Sequence, residues 1–94
     1  MIASFKDKRT AQFAAGIRDQ SSDQELTRQA QRCLLVLECS ETLDDLKGLP
    51  SKGFRTLIGK RTGQYSIRIN NQWRICFTYK NGEAHHVEIA KNQQ

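Results

Sequence analysis

From Ser51 to Lys80 the chain has no aspartate or glutamate. The same stretch carries seven cations: Lys52, Arg55, Lys60, Arg61, Arg68, Arg74 and Lys80. Residues 1–50 are close to balance, with seven Lys/Arg against eight Asp/Glu, and residues 81–94 hold Lys91 against Glu83 and Glu88. The formal net charge of +5 therefore comes from one block. Like charges repel, so such a block costs stability unless an anion offsets it, and a phosphate backbone is the usual partner. The bland alternative is a solvated basic face.

Cysteine is scarce as well. Cys33, Cys39 and Cys76 are an odd count with no CxxC spacing. Cys33 and Cys39 fall in one predicted helix, roughly 9 Å apart along its axis at about 1.5 Å per residue, too far to bridge. All three are expected to be reduced and mostly buried. No Cys/His group has zinc-ligand spacing, so neither a metal nor a cofactor is expected. No apolar run approaches the roughly 18 residues that a membrane span needs. Met1–Asp7 lacks the apolar stretch of a signal peptide. A cytoplasmic protein with no membrane partner is expected. Repeats, linkers and low-complexity tracts are absent, and 94 residues read as a single domain, 1–94, near the small end for a self-sufficient core.

What is present alternates in period. Residues 1–5 read as a short strand anchored by Ile2 and Phe5. Residues 7–39 read as two helices. The first stops near Gly16, and the second starts at Ser22, where Glu25 three residues later makes a capping box. Leu26, Ala30, Cys33, Leu34 and Leu37 recur at the spacing of one buried helical stripe. Residues 40–49 connect, with one turn around Leu43 and Leu46, and Pro50-Ser51-Lys52-Gly53 is a loop. The sheet is predicted over 54–90, where the period becomes two. Residues 91–94 are polar enough to fray. The fold class is α+β: a short N-terminal strand and two helices on one face of a small antiparallel sheet.

Alternation also fixes a register. Apolar residues of paired strands must share a face, because a slip of one residue would flip a strand. A three-residue loop, Asn70-Asn71-Gln72, satisfies this. It sets Tyr65 opposite Phe77, Ile67 opposite Ile75, and Arg68 opposite Arg74. Two facing arginines are unfavourable by up to about 1 kcal/mol. They make sense around a phosphate, which a guanidinium fork fits, or they splay into water. A second three-residue loop, Asn81–Glu83, would place His86 and Glu88 on the arginine face, with Glu88 diagonal to Arg74. His85 and His86, adjacent in a strand, would point to opposite faces.

The stretch Gly63-Gln64-Tyr65-Ser66-Ile67-Arg68-Ile69-Asn70-Asn71-Gln72-Trp73-Arg74-Ile75-Cys76-Phe77 resembles the signature of HigB-type toxins, GraT-like members included, within the RelE-like superfamily. Met1–Phe5, the Leu57, Gly59 and Arg61 positions, and Val87-Glu88-Ile89 fit the same family, so the resemblance spans nearly the whole chain. It implies a RelE-like fold and a place in a type II toxin–antitoxin pair. It further implies metal-independent cleavage of mRNA in the ribosomal A site. The implied partner is a HigA-like helix-turn-helix antitoxin, through which alone the protein would meet operator DNA. Arg74 matches the family's catalytic arginine. Two features differ. A His and a Lys common ahead of the signature are Arg55 and Ile58 here. The family's closing Asp-Tyr-His is absent, with Lys91 and Asn92 in the places of the acid and the ring.

RNA cleavage by its own 2′-OH needs a base, an acid and a cation at the phosphate. Arg74 and Arg68 are the candidate cations, and His86 and Glu88 the candidate proton carriers. Lys52, Arg55, Lys60, Arg61 and Lys91 are assigned to RNA or ribosome contact. Two function classes stay open: a ribosome-dependent endoribonuclease, and a basic binding module acting through antitoxin binding and operon autoregulation.

Overall fold

A computed structural model of the chain describes residues 1–16, 24–48 and 53–91. Helix α1 spans Lys8–Ala14. Its start is set by Asp7, whose Oδ1 accepts from the Thr10 N–H at 2.7 Å. It closes at Gly16, which adopts φ +80° and donates to the Phe13 carbonyl at 3.1 Å. Helix α2 spans Gln24–Cys39 and buries Leu26, Thr27, Ala30, Cys33, Leu34 and Leu37, the predicted stripe with Thr27 added. The predicted cap at Ser22 lies outside the described residues, as do Pro50, Ser51, Lys52 and the tail beyond Lys91. The expected turn at Leu43 and Leu46 is a five-residue helix, α3, Leu43–Lys47. Thr42 and Asp45 cap it reciprocally.

Four antiparallel strands follow in spatial order β1-β2-β3-β4: Arg55–Thr56, Tyr65–Arg68, Trp73–Lys80 and Glu83–Lys91. A 3₁₀ turn over Gly59–Arg61 joins β1 to β2. Between β2 and β3 the register is the one alternation requires, with Tyr65, Ile67 and Arg68 opposite Phe77, Ile75 and Arg74. Asn70 fixes the three-residue loop, its Oδ1 accepting from the Gln72 and Trp73 N–H groups at 2.8 and 2.9 Å.

The β3–β4 hairpin departs from expectation. Lys80 pairs with Glu83, so the turn is the two-residue Asn81-Gly82, both at positive φ. A bulge then sets His86 and Val87 against Phe77, with His86 at φ +54°. Val87 thereby reaches the core, and Glu88 falls opposite Cys76. Lys91, expected to fray with the tail, instead pairs with Trp73.

The N-terminal strand expected over 1–5 is instead two isolated parallel bridges, Ile2 to Ala84 and Phe5 to Val87. The cause is the same bulge. His86 turns its N–H to the Ser4 hydroxyl at 2.9 Å, which interrupts the backbone ladder. The segment still covers the outer edge of β4.

Helices and sheet bury Phe13, Cys33, Leu34, Leu37, Leu46, Ile67, Ile75, Phe77, Ala84 and Val87 in one cluster. Each large side chain there contributes about 1.5–3 kcal/mol. Tyr65 packs on this side, stacked against Phe54 at 5.7 Å. Cys33 and Cys76 are buried thiols, whereas Cys39 is exposed, against expectation. No helix among the described residues is long and apolar enough to cross a membrane.

Candidate nucleic-acid interface

The face of the sheet away from the helices is polar, and its rows follow from the register. One row runs Arg55, Ser66, Cys76, Glu88; the next holds Arg68, Arg74 and Ala90. Farther along, Thr78 pairs with His85. Strand order thus brings Arg55, Arg68, Arg74 and Glu88 onto one surface, as the sequence indicated for all but Arg55.

Arg68 and Arg74 face each other but do not share a fate. Arg68 is exposed, and its Nη2 donates to the Asn71 side-chain oxygen. Arg74 is only 5% exposed. Its guanidinium lies against the sheet: Nε donates to Ser66 Oγ at 2.8 Å, and Nη2 to the Gly53 carbonyl and, at 3.4 Å, to the Ser66 carbonyl. A guanidinium has five donor protons. The two on Nη1 meet no acceptor among the described residues, and no carboxylate there pairs with Arg74.

That arrangement is electrostatically costly. Burial holds the Arg74 pKa below the ordinary arginine value. Arg55 pushes it further down, Cys76 partly offsets this, and Arg68 adds to the lowering. The group stays protonated at any physiological pH. A buried cation without a counterion is stabilised by whatever anion reaches it. With Nη1 open and Arg55 and Arg68 flanking, the geometry suits the oxygens of an anion such as a phosphate.

Gly53 offers its carbonyl from a left-handed backbone, which favours glycine, rather than from a place where a side chain would clash. It sits at φ +53°, and a Cβ there would lie 3.4 Å from Arg68 Cβ and 3.8 Å from Arg74 Nη1. Neither Gly53 nor Ser66 was singled out from sequence. Ser66 carried a usable signal, a small hydroxyl two residues before Arg68 on the same strand face. Gly53 carried none beyond its loop.

The other sequence-derived candidates are placed unevenly. Glu88 is diagonal to Arg74, as expected, but its ion pair is with Lys6, Nζ to Oε2 at 3.3 Å. With the two-residue turn, His85 rather than His86 pairs with Thr78. The two imidazoles do not point to opposite faces of a regular strand. The bulge breaks alternation and leaves their ring centroids 6.4 Å apart. Lys60 is exposed on the 3₁₀ turn, and Arg55 is exposed on β1. Lys91 is exposed opposite Trp73, on the face away from Arg74, so it does not join this surface. Lys52 and the Arg61 side chain lie outside the described part. Among the described residues no three His, Cys, Asp or Glu side chains gather in a metal-binding group.

Comparisons with known proteins agree with this architecture. A family model described as the RelE-like toxin of type II toxin-antitoxin system HigB matches residues 3–90. An uncharacterised protein of Haemophilus influenzae is 34% identical over 58 residues, 62% of this chain, and the chain spans 57% of that relative's length. Among solved structures, a chain of the YoeB-YefM complex from Staphylococcus aureus superposes with a TM-score of 0.62 at 15% identity, covering 100% of this chain and 99% of that one. A heterotetrameric YoeB-YefM toxin-antitoxin complex from the same organism gives a TM-score of 0.59 at 18% identity, with the same coverage. At these identities the structural likeness establishes the fold.

Proposed function

The chain belongs to the HigB-like family of RelE-like toxins of type II toxin–antitoxin systems, and from that premise we propose that it cleaves mRNA in the ribosomal A site and so arrests translation. The observation that carries this reading is Arg74, a buried guanidinium without a carboxylate partner among the described residues and with Nη1 open. In the reaction, the 2′ oxygen of one nucleotide attacks the adjacent phosphorus. The O2′–P bond forms and the P–O5′ bond breaks, leaving a 2′,3′-cyclic phosphate and a 5′-hydroxyl. A base takes the 2′ proton and an acid returns one to the departing O5′. Arg74 offers Nη1 to the charge that builds on the phosphorane oxygens, with Arg68 beside it. Arg55, Lys60, Arg61 and Lys52 supply the sequence-independent hold on RNA. Proton transfer falls to what β4 provides, Glu88 and the His85–His86 pair.

Positioning supplies much of the rate in this scheme. A ribosome already holds mRNA in a defined geometry, and orientation alone lowers a barrier by several kcal/mol, on the order of 7–11 at the limit. The protein works in the cytoplasm on this account. It is restrained by a HigA-like helix-turn-helix antitoxin and reaches operator DNA only through it.

One observation favours a second reading, a basic module that binds RNA or ribosome without cutting: Glu88 is engaged by Lys6. Incubating a defined mRNA with the purified chain, with and without programmed ribosomes, separates the two. Fragments ending in 2′,3′-cyclic phosphate, formed only with ribosomes, are expected. Retention of intact mRNA on ribosomes carrying the folded protein would instead establish the binding module.

A further inference from the structure

Arg74 is not simply present on the polar face; it is held there by two groups that do nothing else evident for the fold. Ser66 is fully buried, yet it lies on the polar side of β2 rather than among the apolar core residues. Its hydroxyl receives Arg74 Nε at 2.8 Å. The Gly53 carbonyl, from the segment just ahead of β1, receives Nη2. Two acceptors on adjacent edges of a planar fork leave it one orientation. The edge that remains, Nη1, is the one with no acceptor among the described residues. An arginine has several rotatable bonds and would otherwise reach solvent beside Arg68, as its cross-strand partner does.

We infer that Ser66, with the Gly53 carbonyl, is a positioning residue that holds the Arg74 guanidinium flat and presents its Nη1 edge to the substrate phosphate. The inference rests on the reading of Arg74 as the phosphate-binding group. Ser66 touches no substrate; it acts through Arg74. Preorganised donors are effective because they need not reorient as charge develops. A guanidinium freed from its cradle would bind RNA as a flexible cation and lose that advantage. The split follows: Ser66→Ala should lower the rate at saturation and leave the affinity for ribosomes nearly unchanged.

Two measurements on the full chain decide the matter. The first is independent of activity. In ¹⁵N-edited spectra the Arg74 Nε–H, assigned by its loss in Arg74→Lys, should exchange slowly with water. It should exchange roughly ten- to a hundredfold faster in Ser66→Ala, and slowly again in Ser66→Thr, which keeps the hydroxyl. Unchanged exchange in Ser66→Ala overturns the cradle. The second is single-turnover cleavage of ribosome-bound mRNA. Ser66→Ala should lose roughly tenfold or more in rate at unchanged ribosome affinity, with Ser66→Thr restoring most of it. A parallel loss of rate and affinity, or no loss, overturns the positioning role. A wild-type chain that cuts no RNA defeats the enzymatic reading instead, and the exchange measurement then decides the cradle alone.

Discussion

The two hairpins of the sheet are built from the same alternating pattern but reach their registers by different routes. In β2–β3, Asn70 closes a three-residue loop by accepting two backbone N–H groups, and every later pair falls into place. In β3–β4, Asn81-Gly82 makes a two-residue turn, which sets Tyr79 against Ala84 and Thr78 against His85. Continued without interruption, that register would set Val87 against Cys76 on the polar face and Glu88 against Ile75 in the core. The bulge at His86 prevents this by adding one residue to β4. A turn therefore fixes register only locally; the burial preferences of the residues beyond it decide whether the ladder continues or shifts.

Deleting His86 is the harshest test of that contrast. It should force Glu88 toward the core or Val87 out of it. The expected loss is about 4 kcal/mol or more of unfolding free energy, read from urea melts. Wild-type stability in the deletion variant would show that the bulge is dispensable. In β2–β3 the matching perturbation is milder. Asn70→Ala removes the acceptor for two N–H groups and should cost about 1–2 kcal/mol in the same melts, because the strands themselves still agree on their register. The gentlest change sharpens the comparison from the other side. His86→Gly relieves a left-handed conformation that costs energy for any residue with a Cβ, and should raise stability by about 0.5 kcal/mol. A destabilised glycine variant would mean that the His86 side chain contributes more than its backbone costs.

The same contrast explains what could be read from the sequence. The helical stripe and the Arg68–Arg74 pairing follow from periodicity and one loop length, and both hold. The β3–β4 register was within reach but misread. Ala84 and Val87 are three apart and both fully buried, a spacing that strict alternation cannot satisfy. Strict alternation, which puts His85 on the apolar side, conceals that spacing. The N-terminal strand failed as a consequence, since its ladder depends on the backbone of β4. Charge and register place Arg74, Arg68 and Glu88 on one face, as the strand pairing has them, whereas charge alone points to Arg55. Contacts that depend on three-dimensional approach were invisible: the Gly53 carbonyl over Arg74, and Lys6 against Glu88. Lys91 was misplaced for a simpler reason. Its charge recommended it, but its parity in β4 puts it on the other face.

One buried arginine, rather than the basic block as a whole, is proposed to make this surface act on RNA. The most direct measurement is single-turnover cleavage of mRNA on programmed ribosomes by wild type, by Arg74→Ala and by the exposed-charge variant Arg55→Ala/Lys60→Ala. Arg74→Ala should lose roughly a hundredfold or more at saturation while remaining folded. The exposed-charge variant should bind more weakly and with a shallower salt dependence, yet cut within about tenfold of wild type once bound. Equal, graded losses in both variants would contradict the claim and identify the surface as a diffuse basic binding face.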